Sequence, residues 1–213
     1  MTGSNHIIKD GTSYMVLKYE DSPYVPADFC IYPVWEKDKN FQYSGNLEIK
    51  EYQLYLKDLS VFCDRKFPEI GDIKPTISEI SYGITHASYE GIHIPLKFTG
   101  GLIAGNGLIK EYDTGMICSG RYYEPMHCYQ TVVELIFQDG RLVTEIDHSK
   151  AMARIRKNLD LGLRSLEKER DVKCIRHFIK TSFIGDYEHP GKHKKMKLIN
   201  INNYIKKLKK VTE

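Results

Sequence analysis

The chain has 213 residues, 41% of them apolar and 28% charged, and a formal net charge of +3. That length and composition suit one large soluble domain, or one domain with a helical appendage. The longest weakly polar run, Gly100 to Ile109, is glycine-rich, broken by Asn106 and far short of the roughly 20 apolar residues of a spanning helix, which argues against a transmembrane segment.

The first residues, "MTGSNHIIKDGTSY", lack the charged and apolar regions of a signal peptide. The five cysteines (Cys30, Cys63, Cys118, Cys128 and Cys174) are odd in number, widely spaced and contain no CxxC pair. Free thiols in a reducing compartment follow, and the expected location is cytoplasmic. Fifteen tyrosines against one tryptophan favour strands and interaction surfaces over long helices.

In chain order, the segments 12–19, 29–35, 45–56, 77–86 and 91–105 are rich in Ile, Val, Tyr and Phe and punctuated by Gly, Pro and Asp, so each is expected to be a strand. Two strand entries look alike, "YSGNL" from Tyr43 and "FTGGL" from Phe98, which suggests equivalent positions in a curved sheet. The glycines of 100–120 fit bends or close backbone approach. In "TVVELIFQDGRLVTEI" (131–146), Asp139-Gly140 between two β-prone runs predicts a two-residue hairpin turn with positive φ at both residues. The period then changes. Met152, Ile155, Leu159, Leu163 and Leu166 recur at helical spacing, with Asp147 or Ser149 as N-cap. A second helix is expected over 172–182, and a third over 200–211 with Ile201, Ile205 and Leu208 as its stripe. The fold class expected is α+β: an antiparallel sheet or partly closed β-barrel over residues 1–146, with two to three C-terminal helices from 147–213 packed on it.

Charge divides at the same place. Residues 1–147 carry 13 basic and 21 acidic side chains, and residues 148–213 carry 18 and 7. Lys192, Lys194, Lys195, Lys197, Lys206, Lys207, Lys209 and Lys210 make the tail the candidate polyanion-binding segment. Its apolar residues at helical spacing favour a different reading, an amphipathic helix docked on the acidic β part of its own protein.

Catalytic signatures are missing. "GGLIAGNGLIKEY" has neither GxxxxGK[ST] nor a GxGxxG opening a helix, and "YMVLK" stands too near the start to follow a nucleotide-binding unit. There is no GxSxG, and His127 and Cys128, as strand neighbours, would point to opposite faces. His86 and His93 are seven apart, and Pro190-Gly191 break the helix that would align His189 with His193, so no metal or cofactor is expected. The most suggestive stretch is "SGRYYEPMHCYQ" (119–130), where Arg121, Tyr122, Tyr123, Glu124, His127 and Tyr129 combine large contact area with directional hydrogen bonds. The expected function is a non-enzymatic binding protein that meets a macromolecular, most often protein, partner through this Tyr-rich surface, as inhibitor, immunity or adaptor proteins do. The alternatives are nucleic-acid binding by the basic helices, and an enzyme or small-ligand binder with a His/Glu/Tyr site at the mouth of the sheet.

Overall fold

A computed structural model describes residues 5–31, 43–63, 67–81, 84–112, 117–118, 121–122, 126–162 and 168–187. Strands dominate: β1 (His6–Lys9), β2 (Thr12–Tyr19), β3 (Tyr43–Lys50), β4 (Gln53–Cys63), β5 (Thr76–Ser81), β6 (Ile84–Tyr89), β7 (Ile94–Pro95), β8 (Gly100–Leu108), β9 (Ile117–Cys118), β10 (Arg121–Tyr122), β11 (Tyr129–Gln138) and β12 (Arg141–Asp147). Two helices follow, α1 (Ser149–Asp160) and α2 (Lys168–Ser182). The residues fall into two compact units interleaved in sequence. One takes 1–16, 22–99 and 137–143, and the other takes 17–21, 100–136 and 144–213. Strands β2, β11 and β12 contribute residues to both.

In the first unit the strand order is β2-β1-β3-β4-β6-β5, with β7 also on β4. β1 runs parallel to β3, with Ile7 opposite Leu47, while the other pairs are antiparallel. The sheet is therefore mixed rather than antiparallel, because β1 turns back through β2 before the chain reaches β3. Side-chain alternation decides its faces. Leu59, Val61, Ala87 and Tyr89 are fully or almost fully buried. Their neighbours Ser60, Phe62, His86 and Ser88 are half-buried on the other face.

The expected 45–56 strand is two strands joined by Glu51 and Tyr52, both at positive φ (51° and 64°). The backbone makes a primed hairpin turn without the glycine that normally announces one. The expected strand at 29–35 begins instead with a 3-10 turn over Pro26–Phe29, which ends on Cys30 in the left-handed region. Proline at its start and the Asp28 carboxylate on the Val25 N–H favour that turn over a strand. The rest of that segment, from 32, lies outside the described residues.

The Asp139-Gly140 turn forms as the sequence predicts, with φ of 50° and 81°. Gly140 is locked in place: its N–H donates to Phe98 O, its carbonyl accepts from Leu54 N, and a Cβ there would collide with Leu96 O.

In the second unit β8 and the first eight residues of β11 carry the core. Leu102, Ile103 and Ala104 of β8 are fully buried, and Val132–Ile136 form a buried run with Glu134 in its middle. Met152 and Ile155 bury the inner face of α1, and Arg156 on that helix donates to His127 O (2.8 Å) and Tyr129 O (2.7 Å). Gly105 lets the Tyr129 ring approach the β8 backbone, since a Cβ there would lie 2.8 Å from it. α1 ends at Asp160 and is followed by Gly162 at positive φ (68°), earlier than the sequence stripe suggests. Leu163, Leu166 and the expected third helix (200–211) lie outside the described residues, so two helices of 12 and 15 residues stand where two to three were expected. Among the described residues no helix is long and apolar enough to cross a membrane.

Candidate functional site

Glu134 lies mid-strand in β11, within "VVELIF", and is completely buried. An unpaired carboxylate there would cost several kcal/mol. Four donors meet it. Tyr187 Oη donates to Oε1 at 2.9 Å, and the main-chain N–H groups of Ile184 and Gly185 donate at 3.0 and 2.8 Å. His148 Nε2 lies 2.9 Å from Oε2. With the carboxylate as acceptor, that nitrogen carries the imidazole proton. The His148 ring packs on Phe183 at 4.2 Å between centroids, and Phe183 meets Tyr187 edge-on.

The sequence Phe183–Tyr187 thus becomes a strap tied to the sheet by one acid. A second acid holds its far side: Glu20, at the end of β2, accepts Asp186 N and Gly101 N, both at 2.7 Å. Gly101 is required here, because a Cβ would run into the Tyr187 hydroxyl.

One face of this strap lines a cavity of about 270 Å³. Ile103 of β8, Met126 and Phe183 form its apolar, buried floor. Lys18 from β2 and Arg176 and Lys180 from α2 supply its cations, with Asp186 as the acid among them. Arg176 and Lys180 are four apart, so the helix presents both on one side. Tyr187 is shared: its ring borders the cavity and its hydroxyl is committed to Glu134.

His127 is buried behind this region, 2% exposed, and its Nδ1 has no hydrogen-bond partner among the described residues. Burial first, and the nearby Arg156 guanidinium second, push its pKa down to about 4, so the ring is neutral at pH 7. On the outer side of α1, Tyr112 Oη donates to both carboxylate oxygens of Asp160 (2.9 and 2.8 Å), which raises the phenol's pKa. Asp147, whose carboxylate is hydrogen-bonded by Ser149, is held below the usual range.

The Tyr-rich stretch distributes differently from a surface patch. Arg121 and Tyr122 lie in β10, opposite Cys118 and Ile117. Tyr123 and Glu124 lie outside the described residues. His127 and Tyr129 are both interior (2% exposed each), because the turn over 126–128 is pinned under α1 by Arg156. All eight tail lysines, and His189 and His193, lie outside the described residues. His86 binds Ser60 (2.5 Å) and Ser78 (3.4 Å), and His93 pairs with Glu48 (3.2 Å). Among the described residues no three His, Cys, Asp or Glu side chains converge as a metal site would need. Cys30, Cys128 and Cys174 form no disulfide.

Sequence reading missed Glu134. Its signal was visible: a single acid inside a six-residue apolar run must find donors or be excluded from the core. Which donors could not be read, since His148 is 14 residues away and the strap 50. Comparison with known protein families, with curated proteins and with solved structures finds no match for this chain.

Proposed function

We propose that this chain is a binding protein rather than a catalyst, and that its ligand seats in the cavity bounded by the strap Phe183–Tyr187 and α2. The carrying observation is how Glu134 is used. A general acid or base must reach its substrate directly or through one water. Glu134 is fully buried and all its neighbouring donors are engaged in holding the strap. This fits a wall kept rigid around a cavity, which lowers the ordering cost of binding. The apolar floor with a few convergent polar groups is the usual make-up of a small-ligand site, and its volume lies just below the usual range for drug-sized ligands. A macromolecular partner met through the 121–129 stretch has less support, since two of its six residues are interior.

The test is a fragment screen by ligand-observed NMR against the protein and a Lys180→Trp variant. Lys180 is exposed, so an indole there blocks the mouth without entering the core. Fragments should bind the parent and be lost from the variant. A screen without hits, or hits that survive the plug, removes this reading.

A further inference from the structure

We infer that Ser60 is a covalent acyl acceptor, its hydroxyl the nucleophile and His86 the base, and that its donor is an activated ester of a small acyl group. This site is independent of the cavity, since β4, β5 and β6 all lie in the first compact unit. Ser60 Oγ lies 2.5 Å from His86 Nε2, and Ser78 Oγ lies 3.4 Å from Nδ1 of the same ring. A hydroxyl bonded to an imidazole whose other nitrogen meets a third group is the arrangement that activates a weak nucleophile. In the reactive tautomer Nδ1 donates to Ser78, and the Nε2 lone pair accepts from Ser60. The Phe62 ring packs on the imidazole at 4.8 Å between centroids and limits its rotation.

Sheet register explains why the pair forms. Ser60 of β4 stands opposite Ser88 of β6, and His86 stands opposite Phe62. The imidazole therefore reaches diagonally across one face to Ser60, a span within range of a long side chain. Ser78 faces His86 from β5. Ser60 and His86 are half-buried and Ser78 is exposed, so a small reagent can reach them. β4 is paired on both sides at Ser60, so the main-chain N–H groups there are committed to the ladders and cannot hold an oxyanion. The hydroxyls of Ser44 and Ser88 remain, directly opposite Ser60 on the two flanking strands. Neither makes a side-chain hydrogen bond among the described residues. Two hydroxyls stabilise an oxyanion less than fixed N–H groups do, which restricts the reaction to acyl donors with a good leaving group. Oγ attacks the acyl carbon, its proton passes to Nε2, and the bond from that carbon to the leaving oxygen breaks. The proton then goes to the departing oxygen, leaving an ester on Ser60 and a neutral imidazole. Hydrolysis of that ester meets the same weak oxyanion support, so the acylated chain accumulates.

The test treats full-length protein, its accessible thiols blocked with N-ethylmaleimide, with p-nitrophenyl acetate and maps the acetyl group by peptide mass spectrometry. Neutral hydroxylamine removes an ester and leaves a lysine amide, which separates the two. A hydroxylamine-labile acetyl group should appear on Ser60 ahead of every other hydroxyl. His86→Gln should slow this labelling about 100-fold or more. Ser78→Ala should slow it about 2- to 10-fold, and Ser78→Thr, which keeps the hydroxyl, should restore it. Melting curves show which variants fold, and the mapping on the parent stands without them. Labelling absent from Ser60, or spread evenly over the serines, overturns the proposal. An unchanged rate in folded His86→Gln overturns the base. Equal rates for Ser78→Ala and the parent remove Ser78 as the positioning residue.

Discussion

Glu134 and His127 are opposite solutions to one difficulty, a titratable side chain inside an apolar core. Glu134 collects three donors from the strap and one from His148, and weakening its acceptor capacity should be costly. In Glu134→Gln the amide oxygen can keep the strap donors that meet Oε1, but the amide nitrogen then stands at Oε2, against His148 Nε2 and the Ile184 N–H. Urea unfolding should show a loss of about 1–3 kcal/mol, from the lost charge assistance and the donor left facing a donor. A loss below about 0.5 kcal/mol would mean that the strap does not depend on this acid. His127 instead stays neutral. Its native pKa of about 4 lies below the ordinary 6.5, so between those values the unfolded chain binds a proton that the native protein does not. Stability from this residue is therefore complete above about pH 6.5 and falls as the solution is acidified toward pH 4. Between pH 7 and pH 5 the parent should lose about 2 kcal/mol more than His127→Gln, which has no proton to gain. Parallel pH slopes for the two proteins would show that His127 titrates normally.

At the scale of elements, two hairpins of equal turn length arise from unlike chemistry. Asp139-Gly140 places glycine where positive φ is cheap, whereas Glu51-Tyr52 puts two side-chain-bearing residues there. Tyr52 is 71% exposed, so packing of its ring gives little in return. Replacing the pair by Asn-Gly should stabilise the protein by about 1 kcal/mol, read as a raised melting temperature. Destabilisation would mean that the Tyr52 ring has a contact worth more than the turn. The likeness of "YSGNL" and "FTGGL" does not extend to their packing. In each unit a tyrosine hydroxyl occupies the space over a strand glycine, Tyr24 over Gly45 and Tyr187 over Gly101, but Gly45 is the third residue of its motif and Gly101 the fourth. Asn5 anchors the first pair, accepting from both Tyr24 Oη and Gly45 N, and Glu134 anchors the second through Tyr187.

For the whole molecule, charge is the property that any distribution of contacts must accommodate. By sequence, the first compact unit carries 10 basic and 13 acidic residues and the second 21 and 15, so the net charges are −3 and +6. The tail lysines supply much of the second figure. With Ile201, Ile205 and Leu208 at helical spacing, we expect residues 198–213 to dock on their own protein. Rim lysines then contribute only about 0–1 kcal/mol each and are screened by salt. Reversing Lys206, Lys207, Lys209 and Lys210 to Glu should lower the melting temperature slightly, less so at high salt, and truncation before residue 198 should lower it more. Tight binding of labelled DNA with a steep salt slope, lost on truncation without any change in melting, would transfer the tail to a polyanion partner.

Sequence alone determined whatever depends on neighbouring residues: the run of β2 at 12–19, the Asp139-Gly140 turn and the two amphipathic helices. Each of these is set by side-chain period or by the φ preference of a single residue, and both are local quantities. It could not determine the Glu51-Tyr52 turn, because nothing local favours positive φ there and the pairing of β3 with β4 imposes it. Nor could it reveal that His127 and Tyr129 are interior, since Arg156 pins them from a helix 29 and 27 residues further along the chain. The strap, its buried acid and the cations around the cavity were decided only by tertiary structure. Lys18, Ile103, Glu134, Arg176 and Tyr187 are scattered over most of the chain, and hydrogen bonds and apolar packing acquire their geometry only when the fold brings such residues together.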